Sequence, residues 1–135
     1  MATTYQLSKR YHIFISHVWE YDENYNTIIN WLNDSDLHWK KYSVPDADPL
    51  NLKPKEVLTK QITSANIVLI VCDMYYPYSF LLDYQIDEAV RMKKVIIGIK
   101  PYGQHKKIPL KIQENVAVMV DWNSNALIGA IKTYG

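Results

Sequence analysis

NIVLIVC (66–72) is a seven-residue run without a charged side chain, and its apolar character is continuous instead of alternating. That pattern predicts a strand buried on both faces, as in a parallel sheet covered by helices. Three further runs share it: YHIFIS (11–16), KVIIGI (94–99) and VAVMV (116–120). A weaker fifth, HWKKYSV (38–44), alternates and is expected nearer an edge. Helical stripes fall between them: Tyr25, Ile28, Ile29 and Leu32; Val57, Leu58, Gln61 and Ile62; Leu82, Ile86 and Ala89; and Leu127, Ile128 and Ile131. The expected order is β-α repeated five times, the signature of an open, doubly wound α/β sheet.

The 135 residues suit one domain spanning 1–135, with 1–9 expected to be flexible. Hydrophobic residues make up 48% and charged residues 21%, which argues against disorder. A net charge of +1 gives no electrostatic footprint for nucleic acid or for an anionic membrane. Cys72 is the one cysteine and lies inside an apolar run, so it reads as a small buried hydrophobe in a reducing compartment. No signal-peptide-like or membrane-spanning stretch is visible, and a cytoplasmic location is expected.

In sheets of this kind ligands collect at the carboxyl ends of the strands, where strand order reverses. For the flavodoxin-like order 2-1-3-4-5, that point lies between the first and third strands. The loops concerned are SHVWEYDE (16–23), SVPDADPLNLKPK (43–55) and DMYYPYS (73–79), all dense in Tyr, Trp, His, Ser and Asp. Aromatic faces with hydroxyls suit a flat heteroaromatic ligand such as nicotinamide or adenine; packing of the loops onto the sheet edge would use them equally well.

Ser79 can cap the helix that starts there, the commonest role for a serine at such a position. At 100° per residue, Gln85 flanks the buried stripe while Asp83, Asp87 and Glu88 are expected to project away. Gln85 is thus the polar residue of this helix aimed inward, and satisfying loop backbone groups is its plain structural role. His12, His17, His38 and His105 lack metal-ligand spacing, and His17 has no nucleophile partner at triad spacing. The four glycines form neither GxGxxG nor a P-loop. Asp73 and Lys100 are similar to the phosphoacceptor and lysine of receiver domains, but FISHVW lacks the paired acids that would hold magnesium.

FISHVWEYDENY (14–25), YSVPDADPL (42–50), YPYSFLLDYQIDEA (76–89), KVIIGIKPYG (94–103) and VDWNSNALIGAI (120–131) together resemble the TIR-like proteins of bacterial Thoeris antiphage systems. The resemblance runs in order along nearly the whole chain. It implies a flavodoxin-like TIR fold, a five-stranded parallel sheet with helices on both faces. It also implies an enzyme with NAD as substrate and no cofactor, cleaving the nicotinamide-ribose bond. The product would be a cyclic ADP-ribose isomer or histidine-ADP-ribose that diffuses to a separate effector. A phage component as trigger and self-assembly are further implied partners.

The family pattern around the catalytic residue runs Ser, any residue, an aromatic, three positions, Glu, Ile and, three on, Ala. Ser79, Ile86 and Ala89 fall in register, Leu81 replaces the aromatic, and Gln85 stands at the catalytic position where Glu is expected. By loop position, Ser16 and His17 are assigned with Ser79 to the ribose and nicotinamide region. Trp19, Tyr75 and Tyr76 are assigned as stacking surfaces, and Asp46 and Asp48 to a loop over the site. Glycosidic cleavage builds oxocarbenium-like charge that a carboxylate stabilises and a neutral amide does not. The chain therefore reads as an inactive Glu→Gln form, engineered or natural; the alternative is a TIR module that binds partners or a nucleotide without catalysis.

Overall fold

The computed structural model describes residues 10–16, 23–42, 54–72, 79–100 and 108–135. In chain order the elements are β1 (Tyr11–Ile15), α1 (Glu23–Asp34), β2 (Trp39–Tyr42), α2 (Pro54–Ser64), β3 (Ile67–Val71), α3 (Ser79–Arg91), β4 (Val95–Ile99), α4 (Leu110–Asn115), β5 (Val118–Val120) and α5 (Ser124–Tyr134). The strands form one sheet of order β2-β1-β3-β4-β5 with every pair parallel. The apolar runs indicated an open, doubly wound sheet, the order is the flavodoxin-like one that the family resemblance implied, and the reversal falls between β1 and β3.

Strand alternation sorts the core into two layers. On one face Ile13, Ile15, Ile67, Leu69, Val71, Ile97 and Ile99 pack with Ile28 and Leu32 of α1 and with Leu127, Ala130 and Ile131 of α5. On the other, Phe14, Val68, Ile70, Cys72 and Ile96 meet Leu58 and Ile62 of α2, Ile86 and Ala89 of α3, and Ile112 of α4. Every residue of β3 is buried, as its unbroken apolar run requires. Burying such side chains stabilises the fold by about 1.5–3 kcal/mol each. Cys72 is a buried free thiol whose Sγ approaches Met119 Sδ at 3.6 Å.

Two details differ from the sequence reading. The last strand begins at Val118, not at residue 116, because the Val116 N–H closes α4 on the Ile112 carbonyl. Helix α4 has only six residues and one buried side chain, Ile112, too short to leave a periodic stripe. Among the described residues, no helix is long and apolar enough to cross a membrane.

Candidate functional site

Among the described residues, two polar side chains are fully buried, Ser16 and Gln85, each with 0% of its surface exposed. Both lie at the carboxyl edge of the sheet. Ser16 directly follows β1, where its backbone N–H still donates to the Leu69 carbonyl at 2.9 Å and extends the pairing with β3. Since residues two apart share a face, Ser16 continues the side of Phe14, the side covered by α2 and α3.

Gln85 sits in the second turn of α3, which runs back from the carboxyl edge after β3. Its bearing lies about 40° to one side of Ala89, away from Ile86 and toward Glu88 and Tyr84. Those two residues meet Thr59 of α2, and α2 itself packs on β1 and β2. Gln85 therefore leans over the β1 side of the sheet, at the end where Ser16 emerges.

Ser16 Oγ, Gln85 Oε1 and Gln85 Nε2 have no hydrogen-bond partner among the described residues. Leaving such a group unsatisfied costs about 1–3 kcal/mol, so each of these atoms is a candidate to meet a polar partner. The amide offers two donors and an acceptor, and the hydroxyl offers both functions. The atoms are suited to a ligand with neighbouring hydroxyls, and they carry no charge.

On its outer flanks α3 is held by polar contacts. Thr59 Oγ1 lies 2.6 Å from Tyr84 Oη and donates to Glu88 Oε1 at 2.7 Å. Tyr84 Oη also lies 3.3 Å from the Lys55 carbonyl oxygen, and Lys55 Nζ lies 5.3 Å from the centre of the Tyr84 ring. Arg91 donates to both Glu88 oxygens, at 2.6 and 3.2 Å. Arg91 above all, then the Thr59 hydroxyl, hold the Glu88 carboxyl down at about 2. Glu88 thus does not project away as the helical wheel suggested: its side chain is 13% exposed and lies between α2 and α3. Asp83 and Asp87 do lie on the opposite flank, where Lys111 of α4 reaches them at 3.7 and 2.8 Å.

Of the residues assigned from sequence, the structure brings Ser16 and Gln85 to one face and one edge. Ser79 is the first residue of α3, and its side chain lies outside the description. His17, Trp19, Asp46, Asp48, Tyr75 and Tyr76 lie outside the described residues. Thr59, Tyr84 and Glu88 went unnoticed as a group: Tyr84 and Glu88 are visibly one turn apart, but nothing local announces their partner on α2. A cavity of about 530 Å³ lined by Arg10, Asp36, His38 and Trp39 opens at the opposite edge, away from Gln85. Among the described residues, no group of three His, Cys, Asp or Glu side chains is placed to hold a metal.

A five-stranded parallel sheet of this order, with helices on both faces, defines a protein of the flavodoxin-like class. Residues 14–106 match the family model described as Thoeris protein ThsB, TIR-like domain, and the chain belongs to that family. Among solved structures it is similar to the CMP N-glycosidase BcmB of Clostridium botulinum, with a TM-score of 0.60 at 12% identity. That match covers 92% of this chain and 99% of the other, and at this identity it shows a shared fold. No curated protein matches the chain by sequence.

Proposed function

We propose that this is an antiphage TIR protein whose site binds NAD and whose catalytic position, Gln85, carries an amide in place of the carboxylate that would cleave it. The observation that carries this reading is the pair of buried, unpartnered polar side chains, Ser16 and Gln85, at the switch-point edge. Family membership and the fold shared with an N-glycosidase support glycoside cleavage as the reaction type.

In that reaction the bond between ribose C1′ and nicotinamide breaks, the bonding pair leaves with the nicotinamide nitrogen, and C1′ gains oxocarbenium character before an acceptor oxygen or nitrogen closes on it. The acceptor determines whether free ADP-ribose, a cyclic isomer or a conjugate such as histidine-ADP-ribose results. Gln85 and Ser16 hydrogen-bond the ribose hydroxyls. His17 and Ser79 extend that region, Trp19, Tyr75 and Tyr76 provide stacking surfaces, and Asp46 and Asp48 belong to the loop above. Gln85 orients the hydroxyls but supplies no negative charge, and loss of such a preorganised group lowers the rate by about 10²–10³-fold. The product would act on a separate effector, with a phage component as the trigger.

Nicotinamide release from NAD, measured with the cognate phage trigger present, tests this. The Gln85→Glu variant is expected to turn over at least a hundredfold faster than the parent, while the parent retains NAD binding by calorimetry. The uncharged character of Gln85 also favours a second reading, a natural TIR module that binds a nucleotide or partner without cleaving it. A Gln85→Glu variant that binds NAD but stays idle with its trigger would select that second reading. Absence of NAD binding in both proteins would sink the first.

A further inference from the structure

We infer that Thr59, through its hydrogen bonds to Glu88 and Tyr84, is a positioning residue that sets the rotation of α3 and so aims Gln85 at the β1 edge. This role rests on the function proposed above, since it takes Gln85 as the group that meets the ligand.

The inner face of α3 is held by Leu82, Ile86 and Ala89, and apolar contact of this kind is not directional. The α4 flank is held by Lys111 against Asp83 and Asp87, partly exposed ion pairs that fix geometry poorly. The α2 flank is different. Thr59 Oγ1 sits between Tyr84 Oη at 2.6 Å and Glu88 Oε1 at 2.7 Å, and Glu88 is kept ionised and pinned from its other side by Arg91. Hydrogen bonds this short are strongly directional. They are made by the residue before Gln85 and by the residue three after it, so they bracket the turn that carries the amide.

Leverage makes the constraint matter. Side-chain tips stand about 5–6 Å from a helix axis, so a rotation of about 10° moves the Gln85 amide by about 1 Å. A displacement of that size can cost an oriented reaction about 10²-fold. The same contacts tether Tyr84 to the Lys55 carbonyl in the first turn of α2, so movement of α2 would be passed to Gln85.

The experiment pairs Thr59→Val, which keeps the shape and removes the hydroxyl, with Thr59→Ser, which keeps the hydroxyl. The side-chain NH₂ resonances of Gln85, identified by their loss in Gln85→Glu, are followed by NMR in the full chain. They are expected to move in Thr59→Val and to return to the parent positions in Thr59→Ser. In the Gln85→Glu background, Thr59→Val is expected to lower kcat for NAD cleavage at least tenfold with KM changed less than twofold, and Thr59→Ser to restore it. If Thr59→Val does not fold, Glu88→Met, which keeps the length of the side chain and removes the acceptor, carries the same measurements. Gln85 resonances unchanged in the hydroxyl-free variant would overturn the positioning role. Resonances that move as expected, in a protein whose Gln85→Glu form cleaves no NAD, would uphold the positioning and reject the function.

Discussion

Arg91 Nε donates to Glu88 Oε2 at 2.6 Å, three residues back along α3, and the carboxylate so held also accepts from Thr59 on the neighbouring helix. The Glu88 carboxyl lies at about 2 against an ordinary 4.5. A depressed carboxylate contributes stability that is complete above its unfolded-state value and is lost as pH falls through its folded value. Glu88→Gln is therefore expected to be less stable than the parent at neutral pH, by about 1–2 kcal/mol after solvent screening of the exposed Arg91. That difference should shrink between pH 4.5 and 2. Urea midpoints across that range check it, and a pH-independent difference would contradict it.

Lys93 closes α3 with φ of 57°. Its N–H donates to the Val90 carbonyl and that of Lys94 to the Ala89 carbonyl, the paired bonds of a Schellman stop. A side chain in the left-handed region costs about 1–2 kcal/mol, part of which glycine returns through its freer unfolded chain. Lys93→Gly should raise the unfolding free energy by about 0.5–1 kcal/mol, and Lys93→Val should lower it. Denaturant melts at neutral pH measure both.

Gln85 costs stability where it stands. Gln85→Met, close in shape and without the unsatisfied amide, is expected to stabilise the ligand-free protein by about 1–3 kcal/mol and to abolish NAD binding. Gln85→Glu should behave differently, because burial raises a carboxyl above its ordinary value of about 4.3. A raised acid loses stability as pH increases through the shifted value, so this variant should match the parent in acid and fall behind it toward neutrality. Melting temperatures of the three proteins at pH 4 and pH 8 distinguish these behaviours.

Gly98 pairs with Met119 across β4 and β5. A Cβ there would lie 2.8 Å from Met119 Sδ and 3.1 Å from Val116 Cγ1. The methionine can turn aside, so Gly98→Ala should cost about 1 kcal/mol, and Gly98→Val, overpacking the layer, about 2–3 kcal/mol. In Met119→Ala the cost of Gly98→Ala should nearly vanish. A double-mutant cycle by urea unfolding reads that coupling directly.

The sheet was legible because a doubly covered parallel strand leaves a distinctive trace: Ile67–Val71 can be nothing but interior. The edge position of Trp39–Tyr42 was legible for the opposite reason, since two lysines there need water. Within the site, the 100° step of the helix was enough to turn Gln85 inward, and the end of an apolar run was enough to place Ser16. Glu88 defeated the same arithmetic. Its partner Thr59 is 29 residues away on another helix, and a wheel that knows only its own axis sends any charge to solvent. Short α4 left no period to read.

The rim formed by β2 has a consequence for how copies of this chain can meet. Among the described residues that strand has no neighbour in the sheet beyond β1, and an open row of amide groups invites a foreign strand to dock. Lys40 and Lys41 are both exposed there and, being adjacent, stand on opposite sides of the sheet plane. Two molecules approaching rim to rim would bring ammonium against ammonium above and below the seam. Two consecutive charges thus oppose the pairing of one β2 rim with another.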